Sequence, residues 1–174
     1  MTSLPVPGPS LPGEVRADHA SMRETMGAFP SGVTVLATCV GTVPVGMTIS
    51  SFASVSLEPP LLLQCVSRAA SCLPAFRVRQ PVAVNVLAHD QARLARRFAG
   101  KDDDRFAGID FHLDGGGSPV LAGTAAWIGG AIDRIYDAGD HVILLIRART
   151  VHRTGKMPLL YHSGQIHDWT TAVA

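Results

Sequence analysis

PVGMTISSFASVSLEPPLLLQCVSRAAS, residues 44–71, is the stretch that decides the fold. Val45 and Met47 alternate with small residues at the period of two that is typical of a β-strand. The prolines at 59–60 end one strand, because proline cannot donate a hydrogen bond to a neighbouring strand, and residues 61–66 begin the next. The segment therefore predicts two core strands joined by a rigid turn, with the adjacent hydroxyls of residues 50–51 where an apolar strand would be expected.

The residues after the second strand suit an anion. Ser67, Arg68 and Ser71 come together beside a short helix predicted at residues 72–78, whose free N–H groups favour negative charge. A flat apolar cleft with a phosphate seat at one end is typical of a nucleotide or flavin pocket. We therefore predict that residues 44–71 form one wall of a ligand site.

Composition limits the class of protein. The 174 residues fit one domain, and a net charge of +1 with 17% charged residues predicts no nucleic-acid surface. No apolar run approaches the roughly 20 residues that span a bilayer, and the N-terminus lacks a signal pattern, so we expect neither a membrane protein nor a secreted one. Three cysteines without a CxxC pair indicate free thiols in the cytoplasm, and nothing in the sequence suggests a metal site.

The N-terminal part is predicted to be a tail followed by a helix. Residues 1–17 are proline-rich and predict a disordered tail, so the folded domain is expected over residues 18–174. Asp18 and Ser21 are alternative caps of the helix. Met22, Met26 and Phe29 recur at helical spacing, which predicts that they lie on the core.

The rest of the chain predicts a mainly β fold with α decoration, built as a β-barrel. Further strands are expected at residues 33–40, 44–48, 81–87, 125–136, 141–150 and 159–164, with a second helix at 89–98 and an irregular segment from 101 to 119. Turn residues between 136 and 141 indicate that two of these strands form a hairpin.

Seven motifs follow one another along the chain: FPSGVTVLAT, VGMTISSFASVSLEPPLLLQCV, VAVNVLAHDQ, LARRFAG, DDRFAG, AGDH and PLLYHSG. Together they resemble the flavin reductase component of two-component flavin-dependent monooxygenases, over roughly residues 18–167. The resemblance implies an FMN-binding split β-barrel that works as a homodimer. It implies an enzyme that transfers hydride from NADH or NADPH to FMN or FAD. Reduced flavin would then reach a partner monooxygenase by diffusion.

The resemblance also implies the site residues. Those expected along the flavin ring are Pro44, Val45, Gly46, Met47, Thr48, Ser50 and Ser51, and those expected along the ribityl chain and phosphate are Cys65, Val66, Ser67, Ser71 and Cys72. The pair expected to close over the phosphate is Arg97 and Phe98, and the residues expected at the pyridine nucleotide are Tyr161, His162, Ser163 and Gly164. His141 is expected at the nicotinamide face as the catalytic residue. Ser71 and Ser163 stand where the family often has basic residues.

Plainer interpretations of the same residues remain open. Ser50 and Ser51 suit a turn, His141 suits turn chemistry, and an Arg-Phe pair at a helix end is typically a solvated cation beside a core aromatic residue. Alternative functions are a flavoprotein that retains FMN and acts on another small acceptor, and a non-catalytic binder of flavin or haem. None of the seven motifs is specific by itself.

Overall fold

The computed structural model describes residues 12–102 and 104–167, and nearly half of them lie in β-strands. The helices are α1 (His19–Gly27) and α2 (Ala92–Ala99). The strands, in chain order, are β1 (Ser31–Gly32), β2 (Thr34–Val40), β3 (Val43–Ile49), β4 (Ala53–Leu57), β5 (Pro60–Ser67), β6 (Pro81–Val86), β7 (Phe111–Leu113), β8 (Pro119–Leu121), β9 (Ala126–Ala138), β10 (His141–Arg153), β11 (Leu160–His162) and β12 (Gln165–His167). Within the described ranges, no helix is long and apolar enough to cross a membrane.

Seven strands form one antiparallel sheet in the order β3-β2-β6-β9-β10-β5-β4. Residues on the inner side of these strands pack together into one apolar core, which contains Leu36, Val84, Ile132 and Leu144. The end strands β3 and β4 follow each other in the chain, yet the described part of the sheet contains no pairing between them. The barrel is therefore open along one line, and the predicted split barrel is confirmed.

A second apolar layer lies outside the sheet. The outward residues Val35 and Ala37 of β2 pack against Ala95 and Phe98 of α2. Phe106 meets Phe98 edge-on, with ring centroids 4.8 Å apart. This layer fixes α2 and the loop after it against the strands that enter the site.

The predicted hairpin of β9 and β10 is present, and β2 and β3 form another. The predicted helix at residues 72–78 is wrong, because only Leu73–Ala75 form a single 3₁₀ turn. The segment expected to be irregular contains the short hairpin β7–β8. Positions 1–11 of the predicted tail and 168–174 of the predicted domain lie outside the described residues, and residues 12–17 contain no helix or strand.

Helix α1 begins at the first of the two predicted caps. Asp18 is the N-cap, and its carboxylate accepts a hydrogen bond from the Ser21 N–H at 2.9 Å. The prediction that the apolar stripe of this helix lies on the core is wrong, because Met22, Met26 and Phe29 are 50%, 57% and 71% exposed. Helical spacing identifies a common face, but it does not say whether that face meets the core or an open cleft.

Two β-bulges bend β9 and β10 around Gly130. Register shifts occur between Leu145 and Ile146, and between Ala148 and Thr150. Gly130 lies between these shifts, where an added Cβ would collide with the Arg147 carbonyl oxygen and lie 3.2 Å from the Ala148 Cα. The close approach of the β9 and β10 backbones at this point therefore requires glycine.

We predict that Gly130→Ala lowers the free energy of unfolding by about 1 to 3 kcal/mol, because the backbone must move to admit the methyl group. Urea denaturation measures this change through the midpoint. Gly32→Ala is the matched control, since a Cβ at Gly32 has no atom within 4 Å. Equal midpoints for the two variants would contradict the prediction.

Candidate functional site

An open cleft of about 950 Å³ lies between α1, the link from β3 to β4, and the turn between β11 and β12. The cleft brings together two stretches that the sequence analysis assigned to the site, at residues 50–51 and 161–164. The lining residues are His19, Ala20, Arg23, Glu24, Met26, Gly27, Phe29, Ser31, Ser50, Ser51, Phe52, Tyr161, Ser163 and Gly164.

Ser51 ties the link between the two end strands to β5. Its Oγ accepts a hydrogen bond from the Cys65 N–H at 2.9 Å and donates one to the Cys65 carbonyl oxygen at 3.0 Å. The Ser51 side chain thus forms the two hydrogen bonds to Cys65 that the backbone of a paired residue would form, at a position just before β4. Ser50 and the half-buried ring of Phe52 therefore face the cleft from a fixed link.

Strand β3 presents an unpaired edge beside this link. The carbonyls of Val33 and Val35 point towards β6 and the residue after it, so the even-numbered residues of β2 form the hydrogen bonds to β3. The residues of β3 opposite them are odd-numbered, and their backbone groups point towards β2. The N–H groups of Gly46 and Thr48 therefore point to the open edge, where the Gly46 carbonyl accepts a hydrogen bond from Arg105 at 2.9 Å. Among the described residues, the Thr48 N–H has no partner from a neighbouring strand, and Thr48 lies outside the cleft lining.

The side chains of β3 mainly support the scaffold. Gly46 is buried against Phe98, and a Cβ there would lie 3.0 Å from the Phe98 ring. Thr48 Oγ1 donates to the Ala95 carbonyl at 2.7 Å, and Met47 Sδ lies 3.5 Å from Cys72 Sγ. Pro44 and Val45 are half-buried and lie outside the cleft lining.

Helix α1 forms the opposite wall and is attached at its C-terminal end. The Ser163 N–H and Oγ both donate to the Gly27 carbonyl oxygen, at 3.0 and 3.3 Å. Ser163 and Gly164 form the β11–β12 turn with φ angles of 49° and 79°, as a two-residue hairpin requires. Ser163 therefore has a structural task at the position where the family often has arginine. His162, on the preceding strand, is half-buried and outside the lining.

Two basic residues of this wall were not predicted from the sequence. His19 and Arg23 line the cleft together with Met26. These three residues recur at i, i+4 and i+7, so they share one helical face. Helical spacing groups these residues on one face, but the tertiary contacts of α1 decide that this face meets the cleft.

His141 lies at the end of the two-residue turn between β9 and β10. Its Nδ1 lies 2.8 Å from the Asp140 carboxylate, and this hydrogen bond is the main reason that the pKa of Asp140 is below its ordinary value. A weaker electrostatic contribution from His19 also lowers the pKa of Asp140. His141 is half-exposed and is not part of the cleft lining.

Arg68 holds that turn in place. Its backbone N–H donates to the Asp140 carbonyl at 2.9 Å, its Nε donates to the Gly139 carbonyl at 3.1 Å, and its guanidinium forms an ion pair with Asp137. These contacts hold Arg68 against the β9–β10 hairpin. The phosphate seat predicted at Arg68 is therefore not supported by the geometry.

The other residues expected at the phosphate are also engaged elsewhere or exposed. Val66 is fully buried inside the barrel, and Ser67 Oγ accepts a hydrogen bond from the Ala69 N–H at 3.2 Å. Ser71 is exposed and followed by a 3₁₀ turn of three residues, which is too short to present a helical N-terminus. The structure does not bring these residues into the cleft lining.

Arg97 and Phe98 match part of the plainer interpretation, which was a solvated cation beside a core aromatic residue. Phe98 is 1% exposed, so its ring has no free surface for a ligand. Arg97 is not simply solvated, because its guanidinium donates to the Arg105 carbonyl at 2.8 Å and the Ala107 carbonyl at 2.6 Å. The pair fastens the loop after α2 to the scaffold.

Comparison with known proteins identifies the family. The model of the flavin reductase like domain matches residues 26–170. Actinorhodin polyketide dimerase of Streptomyces coelicolor is 44% identical over 147 residues, which cover 83% of each chain. The flavin-dependent monooxygenase reductase subunit HsaB of Rhodococcus jostii is 38% identical over 149 residues, covering 85% of this chain and 76% of HsaB.

A solved structure shows the same fold. The NADH:FAD oxidoreductase SgcE6 of Streptomyces globisporus, in complex with NAD and FAD fragments, matches with a TM-score of 0.80 and 38% identity. The match covers 86% of this chain and 92% of SgcE6. The chain therefore belongs to the flavin reductase like family, and the resemblance inferred from its motifs is confirmed.

We predict that His141→Ala raises the pKa of Asp140, because the hydrogen bond that lowers it is lost. Carbon-detected NMR titration of the Asp140 carboxylate measures the shift, and His152→Ala on the distant part of β10 is the control. The stabilisation from this pair is present above the unfolded-state pKa and is lost as the pH falls through the folded one. An unchanged Asp140 pKa in His141→Ala would contradict the assigned contact.

Proposed function

We propose that this chain is an NADH-dependent flavin reductase whose flavin and nicotinamide nucleotide bind in the cleft beside α1. The observation that carries the proposal is the meeting of residues 50–52, one side of α1, and Tyr161, Ser163 and Gly164 around one cavity of about 950 Å³. That volume suits a ligand of dinucleotide size. The names of relatives, an NADH:FMN oxidoreductase of Rhodococcus erythropolis among them, support the same assignment.

The residues present fit a flavin. Phe52 offers an apolar surface on the side of the link, and Tyr161 offers one on β11. Ser50 and the Thr48 N–H supply polar groups at the open edge of β3, where the polar rim of a flat ring can be satisfied. Either FMN or FAD is compatible with this lining. When bound, the flavin supplies the hydride-accepting ring, and the protein supplies binding, orientation and exclusion of water.

The phosphates are assigned to the α1 side of the cleft. Arg68 is committed to the β9–β10 turn, whereas Arg23 and His19 line the cavity. Arg23 is therefore proposed to bind a nucleotide phosphate in place of Ser71, and an arginine suits this task because its donors match phosphate geometry. Glu24 lies beside Arg23 in the lining. Its carboxylate would repel a second anionic group at that position.

His141 is proposed to orient the nicotinamide. The contact between its Nδ1 and the Asp140 carboxylate favours the tautomer with a proton on Nδ1, which leaves Nε2 as the acceptor on the other side of the ring. Such a group positions a carboxamide by hydrogen bonding and need not transfer a proton. The required geometry is a close stack of two rings in a water-poor cleft.

The experiment that tests the proposed function measures NADH oxidation by flavin-free protein. The rate should rise in proportion to added FMN or FAD, because flavin is a substrate that leaves after reduction. Repeating the assay with NADPH determines the preferred nucleotide. A rate that is already saturated by tightly bound flavin, with an unrelated acceptor present, would instead identify a flavoprotein that retains its cofactor.

Reduced flavin is proposed to reach a partner monooxygenase by diffusion. Relatives named as reductase subunits of flavin-dependent monooxygenases support a partner enzyme. The open cleft supports diffusion, because its ligand has a direct path to solvent. We also propose a cytoplasmic location, which the three free cysteines support.

We predict that His141→Ala lowers the rate with NADH by roughly ten- to a hundredfold, as expected for the loss of an orienting contact worth about 1.4 to 2.8 kcal/mol. Flavin affinity should change little. Ser51→Leu should show the opposite pattern, because the side chain would break the contacts to Cys65 and intrude on the ring site. Steady-state kinetics and flavin titration of both variants, with His152→Ala as control, measure the difference. Loss of flavin binding in His141→Ala with normal NADH kinetics would contradict it.

A homodimer is proposed from the outer face of β5 and β10. Leu62, Gln64 and Val66 point into the barrel, so Leu63 and Cys65 point outward and remain half-exposed. The outward partners of these two residues on β10 are Leu145 and Ile143, which are also half-exposed. An outer sheet face this apolar is typical of a surface that a second subunit covers.

We predict that Leu63→Glu shifts the protein from dimer to monomer, because a carboxylate at the centre of this face would be desolvated without a partner. Sedimentation at micromolar concentration should show twice the chain mass for the unmodified protein and for the control Val151→Glu. Val151 is 74% exposed farther along β10. A dimer that persists in Leu63→Glu would place the interface on another face.

A further inference from the structure

A second cleft, of about 520 Å³, lies beside the middle of β9 and β10. Its lining comes from the loop before β6, from β9 and from β10, and consists of Val78, Arg79, Ala131, Ile132, Asp133, Arg147 and Arg149. It shares no lining residue with the cleft beside α1. Arg147 is six residues from His141, so these two residues lie about 20 Å apart along β10.

The backbone directs three arginines into this cleft. The register shifts in the β9–β10 ladder leave Asp133 and Arg149 as extra residues, one on each strand. A β-bulge of this kind redirects a side chain. Arg79 has a φ of 70°, which is rare for a residue with a side chain, and its N–H donates to the Ile132 carbonyl at 2.7 Å. Irregular backbone on all three segments thus converges on one cationic cavity.

The charges in the cleft are only partly neutralised. Arg147 Nε donates to the Asp133 carboxylate at 3.1 Å, which fixes one guanidinium at the floor. Asp133 also forms an ion pair with Arg134, outside the lining, at an N–O distance of 3.7 Å. The side chains of Arg79 and Arg149 have no hydrogen bond or ion pair with any residue that the structure describes. Three arginines and one carboxylate leave a local positive charge in a chain whose net charge is +1.

We propose that this cleft binds an anion with two adjacent phosphate groups, either inorganic pyrophosphate or the diphosphate of a nucleotide. The planar guanidinium groups of Arg79 and Arg149 can each donate two hydrogen bonds to one phosphate group. Arg147 is held by Asp133 and supplies a fixed third cation. A single small anion such as sulfate can satisfy only part of this set. The proposal does not depend on flavin chemistry, since none of these residues belongs to the proposed reductase site.

The test is calorimetric titration of the full chain with inorganic pyrophosphate at low ionic strength. We expect one site per chain, with an affinity for pyrophosphate at least about tenfold above that for sulfate, because two phosphates engage more arginines. The double variant Arg79→Gln/Arg149→Gln should weaken binding at least about tenfold, as loss of charge-assisted hydrogen bonds requires. NADH oxidation with added flavin should be unchanged in this variant.

Two controls keep the result specific. Arg93→Gln/Arg96→Gln removes the same charge from the exposed face of α2 and should bind pyrophosphate normally. Arg149→Gln alone leaves the unusual backbone of Arg79 untouched and should still weaken binding severalfold. ADP that binds as tightly as pyrophosphate would identify a nucleotide source, and pyrophosphate alone would identify the inorganic ion. Equal affinity for sulfate, or equal losses in the two double variants, would overturn the proposal.

Discussion

The absence of pairing between β3 and β4 is the constraint on which the site depends. These two strands are the ends of the described seven-stranded sheet, and only residues 50–52 separate them in the chain. A closed barrel would bury the backbone groups that the open edge of β3 presents. The two hydrogen bonds between Ser51 and Cys65 hold the link against β5 without closing the gap. One serine thus supports both the fold and the cleft.

The rest of the molecule supports that gap from two sides. Outside the sheet, Phe98 packs against Gly46 and Thr48 bonds to the carbonyl of Ala95, so α2 fixes the inner part of β3. Across the gap, α1 carries the cationic face of the cleft and is attached through Gly27 to the β11–β12 turn. The side of the gap that packs against α2 is buried, and the side that faces α1 is exposed. This difference explains why an apolar stripe on α1 remains unburied.

The sequence predicted the fold well, because strand alternation and turn residues report local geometry directly. The turn at Gly139–Asp140 was predicted for the same reason, and the binding roles of Ser50, Ser51 and His141 stay predictions. The phosphate seat was less predictable, since the partners of Arg68 lie about 70 residues away in the chain and no local pattern reveals them. His19 and Arg23 were missed because the orientation of a short surface helix is decided by tertiary contacts, here between Gly27 and Ser163.

The central claim is that a flavin binds at the open edge of β3 and the link that follows it. Amide NMR spectra recorded during FMN titration test this claim most directly. The account predicts that the N–H signals of Thr48, Ser50 and Ser51 shift together with those of Arg23 and Tyr161, while those of Phe98 and Ser71 stay unchanged. Shifts centred on Ser67, Ser71 and Arg97, with Thr48 and Ser50 unaffected, would contradict it.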